Sequence, residues 1–172
     1  MTHALDRRRL LRGELHDREA AIMRPPGAQP RFPSLCDSCG ACARACPEAI
    51  IIPSAHGGPQ IDFARGACTF CGACARACPT GALAEEPEGA PPPWPWRARI
   101  EPACLSLQGV ACRACEDACE PRAIRFRPQV GGAAKPAIDM NQCTGCGECA
   151  FTCPAKAIAF ERLPTQSSET PS

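Results

Sequence analysis

Apolar residues along this chain come in short bursts, never in long runs. Five of them read as strands, because β-branched and aromatic residues alternate with polar ones over five or six positions: PQIDF (59–63), RARIE (97–101), AIRFRP (123–128), PAIDM (136–140) and AIAFE (157–161). Each lies just before or just after a cysteine-rich loop, so the predicted unit is strand, cysteine loop, one or two helical turns, strand, repeating at roughly 30 residues. Before the first unit, Leu10, Leu11, Leu15 and Ile22 mark the apolar positions of a short basic amphipathic helix, which Pro25 and Pro26 end.

Changes of composition divide the chain into a charged N-terminal leader (1–31), a first cysteine-rich domain (32–86), a Pro-rich linker (87–96), a second cysteine-rich domain (97–163) and a polar tail (164–172) expected to be disordered. Trp94 and Trp96 are expected to pin the linker to a domain surface. The expected fold is α+β, two small tandem domains with short strands and helical turns.

Nine Leu, nine Ile, two Val and six Phe make up about 15% of the 172 residues, and there is no Tyr. Ordinary globular chains become doubtful below roughly 20%. Hydrophobic burial alone is therefore short of chain entropy, and something inorganic or covalent must help to build the core. The sixteen cysteines are the candidates.

They fall into four groups with none left over. Cys36, Cys39, Cys42 and Cys46 precede Pro47; Cys68, Cys71, Cys74 and Cys78 precede Pro79; Cys143, Cys146, Cys149 and Cys153 precede Pro154. All three read C-x2-C-x2-C-x3-C-P, the run that binds [4Fe–4S] clusters in bacterial ferredoxins, where the fourth cysteine serves the other cluster, so the two α+β domains are expected to be ferredoxin-like, of the bacterial 2[4Fe–4S] type. Two-residue gaps aim three thiolates at three corners of one cube. Gly40, Gly72 and Gly147, lacking Cβ, let backbone N–H groups approach the cluster sulfurs. The remaining group is irregular: Cys104, then seven residues, then Cys112, Cys115 and Cys119, with Arg113 where the other runs have glycine. It either holds a fourth cluster or is degenerate and empty. Glu116, Asp117 and Glu120 are expected to lower the potential of a cluster there.

Pairing within each half gives four ligand sets: Cys36, Cys39, Cys42 and Cys78; Cys68, Cys71, Cys74 and Cys46; Cys104, Cys112, Cys115 and Cys153; Cys143, Cys146, Cys149 and Cys119. Ile50, Ile51, Leu83, Ile124 and Ile158 are expected to cover the clusters. Zinc fits less well, since its sites show cysteine pairs separated by a longer gap. A disulfide framework needs an oxidising compartment. A paired arginine in DRRRLLRG is similar to a twin-arginine export signal, but ELHDREAA follows where an apolar stretch is required.

Net charge is +1, which implies no polyelectrolyte partner; seven Arg against four acids in the first 31 residues do not argue for nucleic acid. No apolar run approaches a membrane span. There is no G-x-G-x-x-G and no P-loop, and His3, His16 and His56 stand alone as surface residues, so no catalytic residue is expected and the chain is expected not to be an enzyme.

The leader DRRRLLRG followed by MRPP, the four runs, the irregular CLSLQGVACRACEDACEPRAIRFRP (104–128) and the closing CTGCGECAFTCPAKAI together carry a resemblance that covers the chain from Asp6 to Phe160. The chain resembles the NapF family, ferredoxin-type accessory proteins of the periplasmic nitrate reductase system. The resemblance implies a cytoplasmic protein with four [4Fe–4S] clusters that contacts the catalytic subunit of the nitrate reductase before export and assists its maturation, by insertion of that subunit's own cluster. A plain electron carrier feeding a reductase is the alternative.

Overall fold

The computed structural model describes residues 21–85, 94–129 and 134–163. The expected amphipathic leader helix up to residue 20, most of the Pro-rich linker and the polar tail lie outside the described residues.

Among the described residues, five helices of four or five residues and six short strands make up the regular structure, with one 3-10 turn. In the first half α1 (Phe32–Leu35) and α2 (Ala41–Ala45) precede the hairpin β1 (Ile51–Pro53) and β2 (Pro59–Ile61), and α3 (Ala73–Arg76) follows. The second half runs β3 (Trp96–Ile100), a 3-10 turn (Ser106–Gln108), α4 (Ala114–Asp117), β4 (Ile124–Pro128), β5 (Ala134–Ile138), α5 (Glu148–Phe151) and β6 (Ile158–Arg162). The inner hairpin β4–β5 and the outer pair β3–β6 are both antiparallel, with Ile124 opposite Ile138 and Ile100 opposite Ile158.

The same plan is visible in the first half, where β1–β2 is the inner hairpin and the outer pair shrinks to one bridge, Ala28 to Leu83. Backbone hydrogen bonds from Gln29 N–H to Ala82 (3.0 Å) and from Ala84 N–H to Gly27 (2.8 Å) complete it. Gly27, at φ +82°, lies where a Cβ would run into the Ala84 carbonyl, so only glycine fits. Part of the stretch assigned to the leader thus runs along the first half. Arg24 there is buried, donating from Nη1 to the carbonyls of Gly57 (2.8 Å) and Pro59 (2.7 Å), with its guanidinium over the Phe32 ring.

Helices this short do not persist alone, because nucleation outweighs the few bonds formed. They persist by packing: α2 lies against α3, and α4 against α5. One core gathers Phe32, Ile50, Ile51, Leu83, Trp94 and Trp96, and a smaller one gathers Ala98, Ile124 and Phe126. Ile158 is only half-buried.

Trp94 and Trp96 introduce the second half in sequence but are buried in the core of the first. Trp94 donates Nε1–H to the Arg24 carbonyl at 3.0 Å and stands edge-on to Phe70. Phe63 of the first half meets Phe160 of the second, ring centroids 4.8 Å apart. The halves are therefore not beads on a stiff connector; they share an aromatic seam.

Candidate metal centre

Each regular run makes the same local shape. The glycine before the third cysteine is left-handed, at φ +72° for Gly40, +71° for Gly72 and +91° for Gly147, and a one-turn helix starts directly after it. This turn reverses the chain so that the helix carries the third cysteine inward: Cys42 and Cys149 are buried and Cys74 half-buried. A Cβ at Gly40 or Gly72 would meet only the tip of Arg44 or Arg76, so those positions need glycine for its dihedral angle. At Gly147 a Cβ would fall inside the Phe63 ring. The glycine of the last run makes room for the other half of the protein, a role its place in the motif does not reveal.

The irregular run reaches a similar helix by other means. Arg113 replaces the glycine at φ −131°, without left-handed backbone. Its Nη1 donates to Glu116 Oε2 at 3.2 Å, and its guanidinium lies 5.4 Å from the Phe126 ring centroid. Glu116 also accepts the Phe126 backbone N–H through Oε1 at 3.2 Å. Glu116 is therefore paired, and Arg113 offsets part of its charge near this site. The longer Cys104-to-Cys112 loop is held by buried Ser106, whose hydroxyl donates to the Cys112 carbonyl at 2.6 Å, and by left-handed Gly109.

The thiols meet in sets that mix the two runs of each half. Cys104, Cys112, Cys115 and Cys153 line one chamber with Ile100, Phe126 and Ile158; Cys119, Cys143, Cys146 and Cys149 line another with Ile124 and Phe160. In the first half, Cys42 is flanked by Cys36 and Cys78, and Cys68 by Cys74, Cys46 and Cys71. Cys39 and Cys71 are at the surface. None of the sixteen cysteines is bridged. Among the described residues no three Cys, His, Asp or Glu side chains converge as a single ion requires. Four thiols spread round an apolar chamber fit a cube several ångströms across better than one tetrahedral zinc, whose thiolates lie about 2.3 Å from the metal.

In the metal-free chain, burial pushes the thiols of Cys68 and Cys149 up to about 12 and those of Cys74 and Cys115 up to about 11, and neighbouring thiols add to the push. Iron must displace those protons. At Cys78 burial also acts upward, but the backbone N–H groups of Leu83, Thr80 and Ala82 and the Thr80 hydroxyl outweigh it and lower the pKa. Ala157 N–H points at Cys153 Sγ from 3.3 Å. Such donors stabilise anionic sulfur and fit a cluster at these sites.

The 4Fe-4S dicluster domain family matches the chain twice, over residues 35–82 and 110–157. A ferredoxin-type protein NapF from Escherichia coli K12 is 40% identical over 159 residues, covering 91% of this chain and 94% of the relative. The chain belongs to the NapF family of ferredoxin-type proteins. A NapF from Haemophilus influenzae is 38% identical, covering 82% of this chain and 80% of its own. A methylamine utilization ferredoxin-type protein, MauM, from Methylophilus methylotrophus is 31% identical over 87% of this chain. Two dicluster domains and sixteen cysteines correspond to four [4Fe–4S] clusters. No helix among the described residues is long and apolar enough to cross a membrane.

Proposed function

We propose that this chain is a cytoplasmic iron–sulfur accessory protein that assists maturation of the catalytic subunit of a periplasmic nitrate reductase, by supporting insertion of that subunit's own cluster before export. Identity of 40% to a NapF across 91% of the chain carries this reading. Each half folds as a bacterial 2[4Fe–4S] ferredoxin-type unit, and the chain has no catalytic residue of its own. The four sites take Cys36, Cys39, Cys42 and Cys78; Cys46, Cys68, Cys71 and Cys74; Cys104, Cys112, Cys115 and Cys153; and Cys119, Cys143, Cys146 and Cys149. Bound clusters supply one-electron exchange. The chain's residues orient the thiolates, exclude water and direct N–H groups at sulfur.

The exposed thiols of Cys39 and Cys71 favour a second reading, an electron carrier feeding a reductase, since they bring two sites to the surface. Deleting the gene and counting iron in the exported catalytic subunit separates the two. A subunit lacking its cluster supports the maturation role. Full iron content and normal activity overturn it and leave electron carriage.

A further inference from the structure

Two cluster-binding halves in one chain exchange electrons fastest where their ligand loops come closest. Within the first half, α2 lies on α3 and Cys74 neighbours Cys42, so the first and second sites adjoin. Within the second half, α4 lies on α5 and Cys149 neighbours Cys115, so the third and fourth sites adjoin. Between the halves, Cys68 N–H donates directly to the Cys146 carbonyl at 2.7 Å. Cys68 belongs to the second site and Cys146 to the fourth.

We infer that the Cys68–Cys146 contact is where an electron crosses between the halves, so that the four sites connect in the order first, second, fourth, third. This order departs from the sequence and leaves the first and third sites as the ends of the path. The inference rests on the proposed loading of all four sites. With clusters bound, the step would be a one-electron exchange in which the cluster on one side of the contact is oxidised and the one on the other side reduced; no bond would be made or broken. The electrons come from a low-potential one-electron donor, dithionite in the experiment below.

Three observations make the junction a built contact. Cys146 is half-buried, whereas Cys39 and Cys71, which hold the same place in the other two regular runs, are exposed. The Phe63 ring occupies the space that a side chain at Gly147 would take, directly beside Cys146. Gly145, at φ +77°, lies where a Cβ would meet the Trp96 carbonyl. Both flanking glycines of Cys146 are thus spent on close approach, one to Phe63 of the first half and one to the strand that begins at Trp96.

The experiment locates iron in crystals of the loaded full-length chain by anomalous scattering. The expected result is that the nearest pair of clusters in different halves is the second and fourth. Any other nearest pair overturns the order. Iron and sulfide content is measured on the same sample, and content short of four clusters overturns the loading premise instead. Paramagnetic resonance of the dithionite-reduced chain gives a second readout. A Cys39→Ala, Cys112→Ala variant keeps the second and fourth sites, and its signals should be split or broadened by spin–spin interaction. A Cys71→Ala, Cys149→Ala variant keeps the first and third, and its signals should be those of isolated centres. Isolated signals in the former, or interacting signals in the latter, overturn the order; if either variant fails to load, the iron positions in the unaltered chain decide.

Discussion

Glycine at 147 answers two demands and glycine at 72 only one. Both residues are left-handed, and a non-glycine residue there costs roughly 1–2 kcal/mol. At Gly72 the added methyl meets a guanidinium tip that can swing away, while at Gly147 it meets the Phe63 ring. Forcing atoms into such a contact costs about 1–3 kcal/mol more. Gly147→Ala should therefore destabilise the loaded protein more than Gly72→Ala, measured by denaturant unfolding followed through cluster absorbance; equal effects would remove Phe63 from the explanation. Arg113 allows a second comparison at this scale. Arg113→Ala leaves Glu116 as an uncompensated charge near the third site, so the potential of that cluster should fall in a redox titration monitored by paramagnetic resonance. An unchanged potential would mean that solvent already screens the pair.

At the scale of elements, the loop from Cys104 to Cys112 is held by a few specific bonds. Ser106 is 7% exposed and its hydroxyl bonds the Cys112 carbonyl at 2.6 Å. Ser106→Ala should cost about 1–3 kcal/mol and should make the third cluster the first one lost on mild chelation, read as a partial fall in iron content. Iron lost from the variant no more readily than from the unaltered chain would show that Ser106 does not hold this site. Much at this scale was legible in the sequence. The strands at 97–101, 123–128 and 157–161 differ from β3, β4 and β6 by a residue at their ends, because alternation with β-branched and aromatic residues is a strong signal. PAIDM is displaced by two residues, since β5 begins at Ala134, where the only cue was small residues. β1 is three residues long and left no periodicity to read. Residues 23–29 looked like leader because Pro25, Pro26 and Gly27 suggest a break, whereas that very glycine permits the pairing with Ala84. The cysteine groups could be read because ligand spacing is local. The seam could not, since Phe63 and Phe160 carry no mark that separates a residue facing its own half from one facing the other.

For the whole molecule, the question is whether the halves stand or fall together. Aliphatic and Phe residues are too few for either half to hold by apolar burial alone, and the neutral thiols in each interior tie no elements together until iron binds them. Removing iron should therefore unfold the chain. Because Trp94 and Trp96 lie in the core of the first half while β3 pairs with β6 of the second, disruption on one side must reach the other. Anaerobic chelation followed by circular dichroism should show one cooperative loss of structure, not two steps; a native-like spectrum after complete iron removal would sink the idea that the clusters form the core. Trp94→Ala sharpens the test. Truncating a buried Trp costs about 3–5 kcal/mol, and here it also removes the hydrogen bond to the Arg24 carbonyl and the edge-on contact with Phe70. If the seam couples the halves, this one change should lower the resistance of all four clusters to chelation, including the third, which lies in the second half and has no contact with Trp94 among its chamber residues. Loss confined to the first two sites would mean that the halves are independent and that the aromatic seam holds them side by side without making them cooperative.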